Sequence, residues 1–176
     1  AGRAGLLLCG LYGDPPALVD ELVSVASTRS GVVGIDLAGG PTPAQDFSLA
    51  DYERPFRRAA ELGLGRTVHA GEGRPPAEIR TAIEALGAQR IGHGTTLLDD
   101  PSVLDLVLER AVTIEACPTS NWHTGVITQV AAHPLARWLE LGVKVTVCTD
   151  NTLLSAVDLP EELRRAGGIV GVDGAA

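Results

Sequence analysis

The stretch RTVHAGEGRPPAEIRTAIEALGAQRIGHG, residues 66–94, contains one complete repeat unit of the fold. The short run RTVHAGE (66–72), whose strand signal leads into His69, predicts a strand. PPAEIRTAIEALG (75–87) predicts a helix with prolines in its first turn and glycine after its last. RIGHG (90–94) then predicts a second strand. A strand, a helix and a strand in this succession predict a right-handed crossover between two parallel strands.

The same alternation continues outward in both directions. Strands are predicted at 5–11, 31–39, 66–72, 90–94, 112–118 and 144–150, and helices at 15–28, 48–63, 75–87, 100–111, 133–142 and 159–167. Asp14 is the expected N-cap of the first helix. The class is therefore α/β with a parallel sheet in one domain, either doubly wound or a (β/α)8 barrel lacking two of its strands.

Composition limits the classes of partner. The chain has 176 residues, of which 45% are hydrophobic, and a formal net charge of -8. This acidic balance argues against nucleic acid and anionic membranes as partners, although a nucleoside carries no phosphate and stays possible. Apolar runs are only strand-sized, so we expect no membrane span, and we expect no signal peptide. Cys9, Cys117 and Cys148 are expected to be buried reduced thiols, which favours a cytoplasmic protein.

Titratable residues recur at the predicted carboxyl ends of the strands, the edge where parallel α/β folds build their sites. They are Asp36, His69, His93 and Asp150, with Glu72 three positions after His69. Each has a structural alternative. They are a strand-capping histidine for His69, a solvated carboxylate for Glu72, a core histidine bonded to a backbone carbonyl for His93, an ordinary βα turn for Asp36, and a helix N-cap or turn for Asp150. Together they predict a site, and two histidines with a carboxylate suit zinc or a similar divalent ion.

Several neighbouring residues carry weaker expectations. Ala70 and Gly71 are expected to leave room for a ligand to approach the backbone. His133, before a proline at a helix start, is expected to be a surface or capping residue. His123 and Trp122 are placed in a loop that could cover the site, with loop packing as the alternative for Trp122.

Six motifs together resemble the adenosine deaminase family of metal-dependent amidohydrolases. They are DLAG (36–39), TVHAGE (67–72), RIGHG (90–94), EACPTSN (115–121), HPL (133–135) and TDN (149–151), and the resemblance runs from residue 5 to about 165. It implies a TIM-type (β/α)8 barrel, present here as about six βα units in a partial deaminase barrel domain over residues 1–176. It also implies one Zn²⁺ ion and hydrolytic conversion of adenosine, a small purine nucleoside, to inosine and ammonia.

The resemblance assigns a role to each matching residue. His69 and Asp150 would be zinc ligands. Glu72 would protonate the purine ring nitrogen beside the reacting carbon. His93 would orient and help to deprotonate the zinc-bound water, and Asp150 would also be a hydrogen-bond partner of that water. The Gly39 amide would contact another ring nitrogen, and Asn151 would bind the purine.

Three departures from the family pattern are visible. The family's H-x-H pair, which supplies two zinc ligands from the first barrel strand, does not occur in these residues. We therefore expect an internal or C-terminal portion that lacks the first two barrel strands. Asn151 stands where the family has a second aspartate, and Gly40–Pro41 replaces an acidic pair. An amidohydrolase acting on a different aminated ring and a catalytically inactive fragment therefore stay open alternatives, and the oligomeric state is undetermined.

Overall fold

A computed structural model describes residues 4–40 and 46–171. Within them, six parallel strands form one sheet in the order of the sequence. A doubly wound sheet would reverse its strand order at a switch point, and none occurs here. The predicted barrel-type arrangement of six βα units is therefore confirmed, with the first and last strands at open edges. The strands are β1 (Leu6–Leu11), β2 (Val32–Ala38), β3 (Gly65–Ala70), β4 (Arg90–His93), β5 (Thr113–Ala116) and β6 (Lys144–Val147).

Helices follow the strands and cover one face of the sheet. The core between the two layers is built from apolar side chains that are nearly inaccessible, among them Ile35, Phe56, Ile91, Ile114 and Trp138. No helix in the described ranges has the length and apolar character needed to cross a membrane. The helices are α1 (Pro16–Thr28), α2 (Glu53–Glu61), α3 (Ala77–Glu84), α4 (Pro101–Glu109), α5 (Pro118–His123), α6 (Leu135–Glu140), α7 (Thr152–Ser155) and α8 (Leu159–Val170), with short 3-10 turns at Leu49–Tyr52, Leu97–Asp99 and Val130–Ala132.

Some element boundaries differ from the prediction. Strands β5 and β6 end earlier than expected, and the segment predicted as strand and loop after Ala116 instead forms α5. Helix α8 continues past Gly167 to Val170, because its apolar face still packs against the core. Helix α1 has Pro15 as its N-cap with no side-chain bond, so the prediction for Asp14 was wrong. The backbone carbonyl of Asp14 instead accepts a 2.7 Å bond from the Tyr52 hydroxyl.

Strand register places residues of the TVHAGE and RIGHG motifs beside one another. His69 of β3 lies opposite Gly92 of β4, and Ala70 lies opposite His93. A Cβ atom at position 92 would be only 3.1 Å from Nδ1 of His69. The glycine therefore leaves the space that the imidazole ring of His69 occupies.

Candidate functional site

The carboxyl ends of the strands bring the predicted site residues together. The imidazole rings of His69 and His93 lie 4.9 Å apart in an edge-to-face arrangement. Oε1 of Glu72 is 3.7 Å from Nδ1 of His93. Asp150 follows β6 at the same edge and contacts Ser120 of α5. One cluster of titratable groups therefore occupies the position that the sequence indicates.

Asp36 orients His69. Oδ1 of Asp36 is 3.1 Å from Nδ1 of His69, and because a carboxylate only accepts, Nδ1 is the donor. Burial lowers the pKa of His69, but the hydrogen bond and the negative charge of Asp36 outweigh it, so the pKa is raised above its ordinary value. This contact fixes the ring and leaves Nε2 as its free nitrogen, as in a carboxylate–histidine metal ligand.

His93 is held in a buried and neutral state. Its side chain is 3% exposed, and burial lowers its pKa more than the charge of Glu72 raises it. Nδ2 of Asn121 donates to Nδ1 of His93 at 3.0 Å, which a neutral imidazole can accept. The residue has φ of +67°, a left-handed conformation uncommon outside glycine. This turn directs the ring toward Glu72 rather than along the strand.

Glu72 lies two residues beyond β3 and is only partly shielded, with 22% of its side chain exposed. Its Oε1 accepts from Nδ2 of Asn121 at 3.4 Å and from the hydroxyl of Thr124 at 3.3 Å. Both donors belong to α5 or its C-cap. The carboxylate is thereby directed to the cluster instead of into bulk solvent.

Asp150 and Asn151 end the loop after β6. Asp150 has φ of +56°, and its Oδ2 accepts from the Ser120 hydroxyl at 2.6 Å. Asn151 is the N-cap of α7, since its Oδ1 accepts from the amides of Leu153 and Leu154. The helix N-cap expected as the alternative for Asp150 is thus formed by its neighbour Asn151, whose Nδ2 group is the part left to donate to a ligand.

Gly39 follows β2 with φ of +83°. Its carbonyl accepts from Nη1 of Arg74 at 3.2 Å, which ties this loop to the segment after β3. A Cβ atom at Gly40 would lie 1.9 Å from the same nitrogen, so the guanidinium occupies the space of a side chain there. Pro41, which together with Gly40 replaces the acidic pair of the family, lies outside the described residues.

The expected room at Ala70 and Gly71 is filled by protein. Both residues are buried. A Cβ atom at Gly71 would be 2.6 Å from Cδ1 of Ile79 and 3.0 Å from the hydroxyl of Thr96. The prediction of ligand access was wrong, because the small residues admit α3 and the segment after β4 to the backbone.

The other histidines and Trp122 do not join the cluster. His133 is 3% exposed, so the surface alternative was wrong, while its Nδ1 caps α6 by accepting from Leu135 N at 3.1 Å. His123 and Trp122 lie in α5, not in a loop; their rings contact each other, and Trp122 is 43% exposed.

The cysteines differ from one another in burial. Cys117 is buried and Cys148 is half-buried, but Cys9 is exposed because β1 is an edge strand. Sγ of Cys9 lies 3.6 Å from Oδ2 of Asp36. All three are free thiols, as predicted, whereas the expected burial of Cys9 was wrong.

Sequence reasoning missed the residues of α5 and its C-cap that hold the cluster. Ser120, Asn121 and Thr124 each donate to a predicted site carboxylate. The quoted motif EACPTSN was the signal that could have found the first two, since it stands among the motifs that define the resemblance.

The metal-binding potential of the described residues is limited. His69 and Asp150 have suitable donor atoms, yet among residues 4–40 and 46–171 no group of three or more histidine, cysteine, aspartate or glutamate side chains is arranged to hold an ion.

Comparison with known proteins identifies the family of the chain. The family model described as adenosine deaminase matches residues 4–175. The chain belongs to the adenosine deaminase family. It is 40% identical over 161 residues to the adenosine deaminase of Clostridium kluyveri, which covers 90% of this chain and 45% of that protein. The chain therefore spans about half the length of the curated relatives it matches.

Solved structures of similar proteins share the barrel arrangement. The N6-methyl-AMP deaminase of Arabidopsis thaliana is 26% identical with a TM-score of 0.85, over 97% of this chain and 49% of that one. An amidohydrolase from Burkholderia ambifaria with bound zinc is 25% identical with a TM-score of 0.78, over 98% of this chain and 48% of that one. The adenosine deaminase family fold is thus present as a partial barrel.

Proposed function

We propose that these residues belong to a zinc-dependent hydrolase that converts adenosine, or a closely related 6-aminopurine nucleoside, to inosine and ammonia. The observation that carries the proposal is the approach of Glu72 to His93 at 3.7 Å, directly beside the ring of His69. An acid, a neutral imidazole and a metal-type histidine are the groups that this hydrolysis needs. Membership of the adenosine deaminase family supports the same reaction.

Zinc fits the donor chemistry at this edge of the sheet. Asp36 occupies Nδ1 of His69, which leaves Nε2 as a donor, and Ser120 occupies Oδ2 of Asp150, which leaves Oδ1. Bound zinc would supply Lewis-acid activation of the attacking water. We propose that His69 and Asp150 contribute to its ligand set and that the family's H-x-H pair, outside these 176 residues, completes it.

Glu72 is the proposed proton donor to the purine ring. Protonating the ring nitrogen withdraws electrons from the adjacent carbon and makes it a better electrophile. The donors on α5 and at its C-cap both contact Oε1 of Glu72, so Oε2 is the oxygen available to the substrate. Asn121 and Thr124 therefore orient the acid without blocking it.

His93 and Asp150 are proposed to orient the attacking water. With Nδ1 of His93 accepting from Asn121, its Nε2 is the nitrogen left for that water. The amide of Gly39 and the Nδ2 group of Asn151 are proposed as donors to the purine. An asparagine amide donates without having to be protonated, so Asn151 can serve where the family uses an aspartate.

The test is turnover by the full-length protein loaded with zinc, measured as inosine and ammonia released. The substitution Glu72→Gln should lower kcat by about 10²–10⁴-fold, because an amide cannot deliver the proton. Glu84→Gln, on an exposed residue of α3, is the matched control and should leave kcat unchanged. An intact, zinc-loaded protein that converts no 6-aminopurine would contradict the proposal.

A different aminated ring is the second candidate substrate. The specific observations are Asn151 in place of an aspartate and the guanidinium of Arg74 packed against Gly40, where the family has an acidic residue. A panel of adenosine, adenine, adenosine monophosphate and N6-methylated purines on the full-length protein decides between them. A clear preference for adenosine removes this candidate.

A further inference from the structure

A buried carboxylate lies outside the proposed site. Glu162 of α8 has no exposed surface. Carboxylates are almost never fully buried without partners, because removing the charge from water costs several kcal/mol unless hydrogen bonds replace the lost solvation. The Glu162 carboxylate therefore needs hydrogen-bond donors from the protein.

The partners of Glu162 are at the start of α5, 43 residues earlier in the sequence. Oε1 accepts from the backbone amide of Thr119 at 2.8 Å, and Oε2 accepts from the hydroxyl of the same residue. The first amides of a helix have no partner within it, and a negative charge is favourable beside them. Glu162 thus satisfies the first turn of α5 from another helix.

A second residue of α8 strengthens the contact. Nη1 of Arg165 donates to the Thr119 hydroxyl at 2.9 Å, while its Nε pairs with Glu161. The hydroxyl of Thr119 therefore accepts from Arg165 and donates to Glu162. We call this three-residue contact, formed by Thr119, Glu162 and Arg165, the helix clamp.

The helix clamp lies directly beside the residues that hold the site. Ser120 and Asn121 follow Thr119 in the same short helix. Ser120 donates to Asp150, and Asn121 donates to Glu72 and His93. Helix α5 has only six residues, so a shift at its first turn moves both side chains. Displacements of about 1 Å at a reacting group can cost on the order of a hundredfold in rate.

We infer that Glu162 is a positioning residue, which fixes α5 so that Ser120 and Asn121 hold Asp150, Glu72 and His93 in their working geometry. This inference rests on the proposed function for its kinetic readout. Glu162 itself touches none of the proposed catalytic groups, so it acts through Thr119.

The first experiment is a double-mutant cycle in the full-length zinc-loaded protein. Glu162→Gln keeps one acceptor but replaces the other by a donor, and it should lower kcat about tenfold or more with a smaller change in KM. In a Ser120→Ala/Asn121→Ala background the same substitution should lower kcat about twofold at most, because both side chains through which it acts are gone. Glu109→Gln, on an exposed residue of α4, is the control for lost charge.

The cycle separates positioning from stability. All variants are assayed well below their measured Tm, so a merely structural role predicts equal effects of Glu162→Gln in both backgrounds. That additive result, or wild-type kcat in Glu162→Gln, would overturn the inference. If Glu162→Gln does not fold, Thr119→Val, which removes only the hydroxyl, replaces it in the cycle.

A second readout does not require deaminase activity. Zinc retention against a chelator should fall in Glu162→Gln but should not fall further when Ser120→Ala is already present, because Ser120 is the link to Asp150. A full-length protein without activity that shows this pattern would contradict the proposed function while supporting the helix clamp. Equal losses of zinc in both backgrounds would count against the clamp.

Discussion

Individual side chains at the strand ends are held by contacts that local sequence rules do not predict. His93 and Asp150 both adopt left-handed φ values, which usually cost non-glycine residues about 1–2 kcal/mol. Hydrogen bonds from Asn121 and Ser120 stabilise these conformations from a different element. The strained backbone and the converging side chains thus coincide, as is common at functional sites.

His133, which the sequence places at the surface or at a helix cap, is buried, and burial changes its pKa. Its ring contacts Trp138 edge-to-face at 5.0 Å, and its Nδ1 accepts from the amide of Leu135. Burial, with a smaller repulsion from His93, lowers its pKa from 6.5 to about 4. The folded protein therefore keeps this imidazole neutral under conditions that protonate it in the unfolded chain.

This shift predicts acid sensitivity of the folded state. Above about pH 6.5 the imidazole is neutral in both the folded and the unfolded chain, so its titration does not affect the free energy of unfolding. As pH falls from there toward the folded pKa of about 4, only the unfolded chain binds the proton, and the free energy of unfolding decreases. The free energy of unfolding should drop by about 2 kcal/mol between about pH 8 and about pH 5 from this residue alone. His133→Asn keeps a capping oxygen without titrating, so denaturant unfolding at both pH values should show a smaller drop.

The exposed histidine provides the comparison for that experiment. His123→Asn, at an exposed residue at the end of α5, is the matched control substitution for this comparison. Equal pH dependence in His133→Asn and the wild type would contradict the assignment.

At the scale of elements, two aspartates that both fit the sequence rule for helix N-caps differ in the structure. Asp158 is the N-cap of α8, and its Oδ1 accepts from the amide of Glu161 at 2.9 Å. Asp14 fits the same sequence rule, yet α1 begins from Pro15 without a side-chain cap. The backbone carbonyl of Asp14 instead accepts from the Tyr52 hydroxyl, a contact between distant elements that the capping rule does not include.

Asp158→Ala and Asp14→Ala should therefore differ in stability. The first removes a capping bond and should lower the free energy of unfolding by about 1 kcal/mol. The second removes no capping bond and should change it by less than about 0.5 kcal/mol. Denaturant unfolding of the two variants side by side measures the difference, and equal losses would show that Asp14 caps α1 after all.

At the scale of the molecule, the sheet has two open edges. The described β1 and β6 do not pair with each other, so each has one side without a neighbouring strand. The β1 edge also exposes apolar side chains, with Leu6 65% and Leu11 57% exposed. Open, apolar edges of this kind promote pairing between chains.

We therefore expect the isolated 176-residue chain to self-associate and to bind zinc weakly. Sedimentation should show association that increases with concentration, and Leu6→Lys with Leu11→Lys should reduce it, because charged side chains on an edge strand oppose pairing. Leu153→Lys is the matched control, because that residue is 89% exposed but lies in α7 and not on strand β1. A monomer at all concentrations would contradict this expectation, as would tight stoichiometric zinc binding.

Much of the architecture is determined by the sequence itself. Apolar runs separated by helical patterns predicted all six strands, and the positions of His69, His93 and Asp150 after those runs predicted the edge at which they meet. Periodicity and turn residues act over a few neighbours along the chain, which is why a single sequence reveals them. The motifs also indicated the adenosine deaminase family, which the family match confirmed.

Tertiary structure alone decided the contacts between distant elements. Asn121 meets Glu72 across 49 residues, and Glu162 meets Thr119 across 43. The packing of Ile79 over Gly71 and the burial of His133 likewise depend on how helices lie against the sheet. Such contacts follow from strand order, register and helix packing, because a hydrogen bond or a buried ring needs a partner that sequence spacing does not specify.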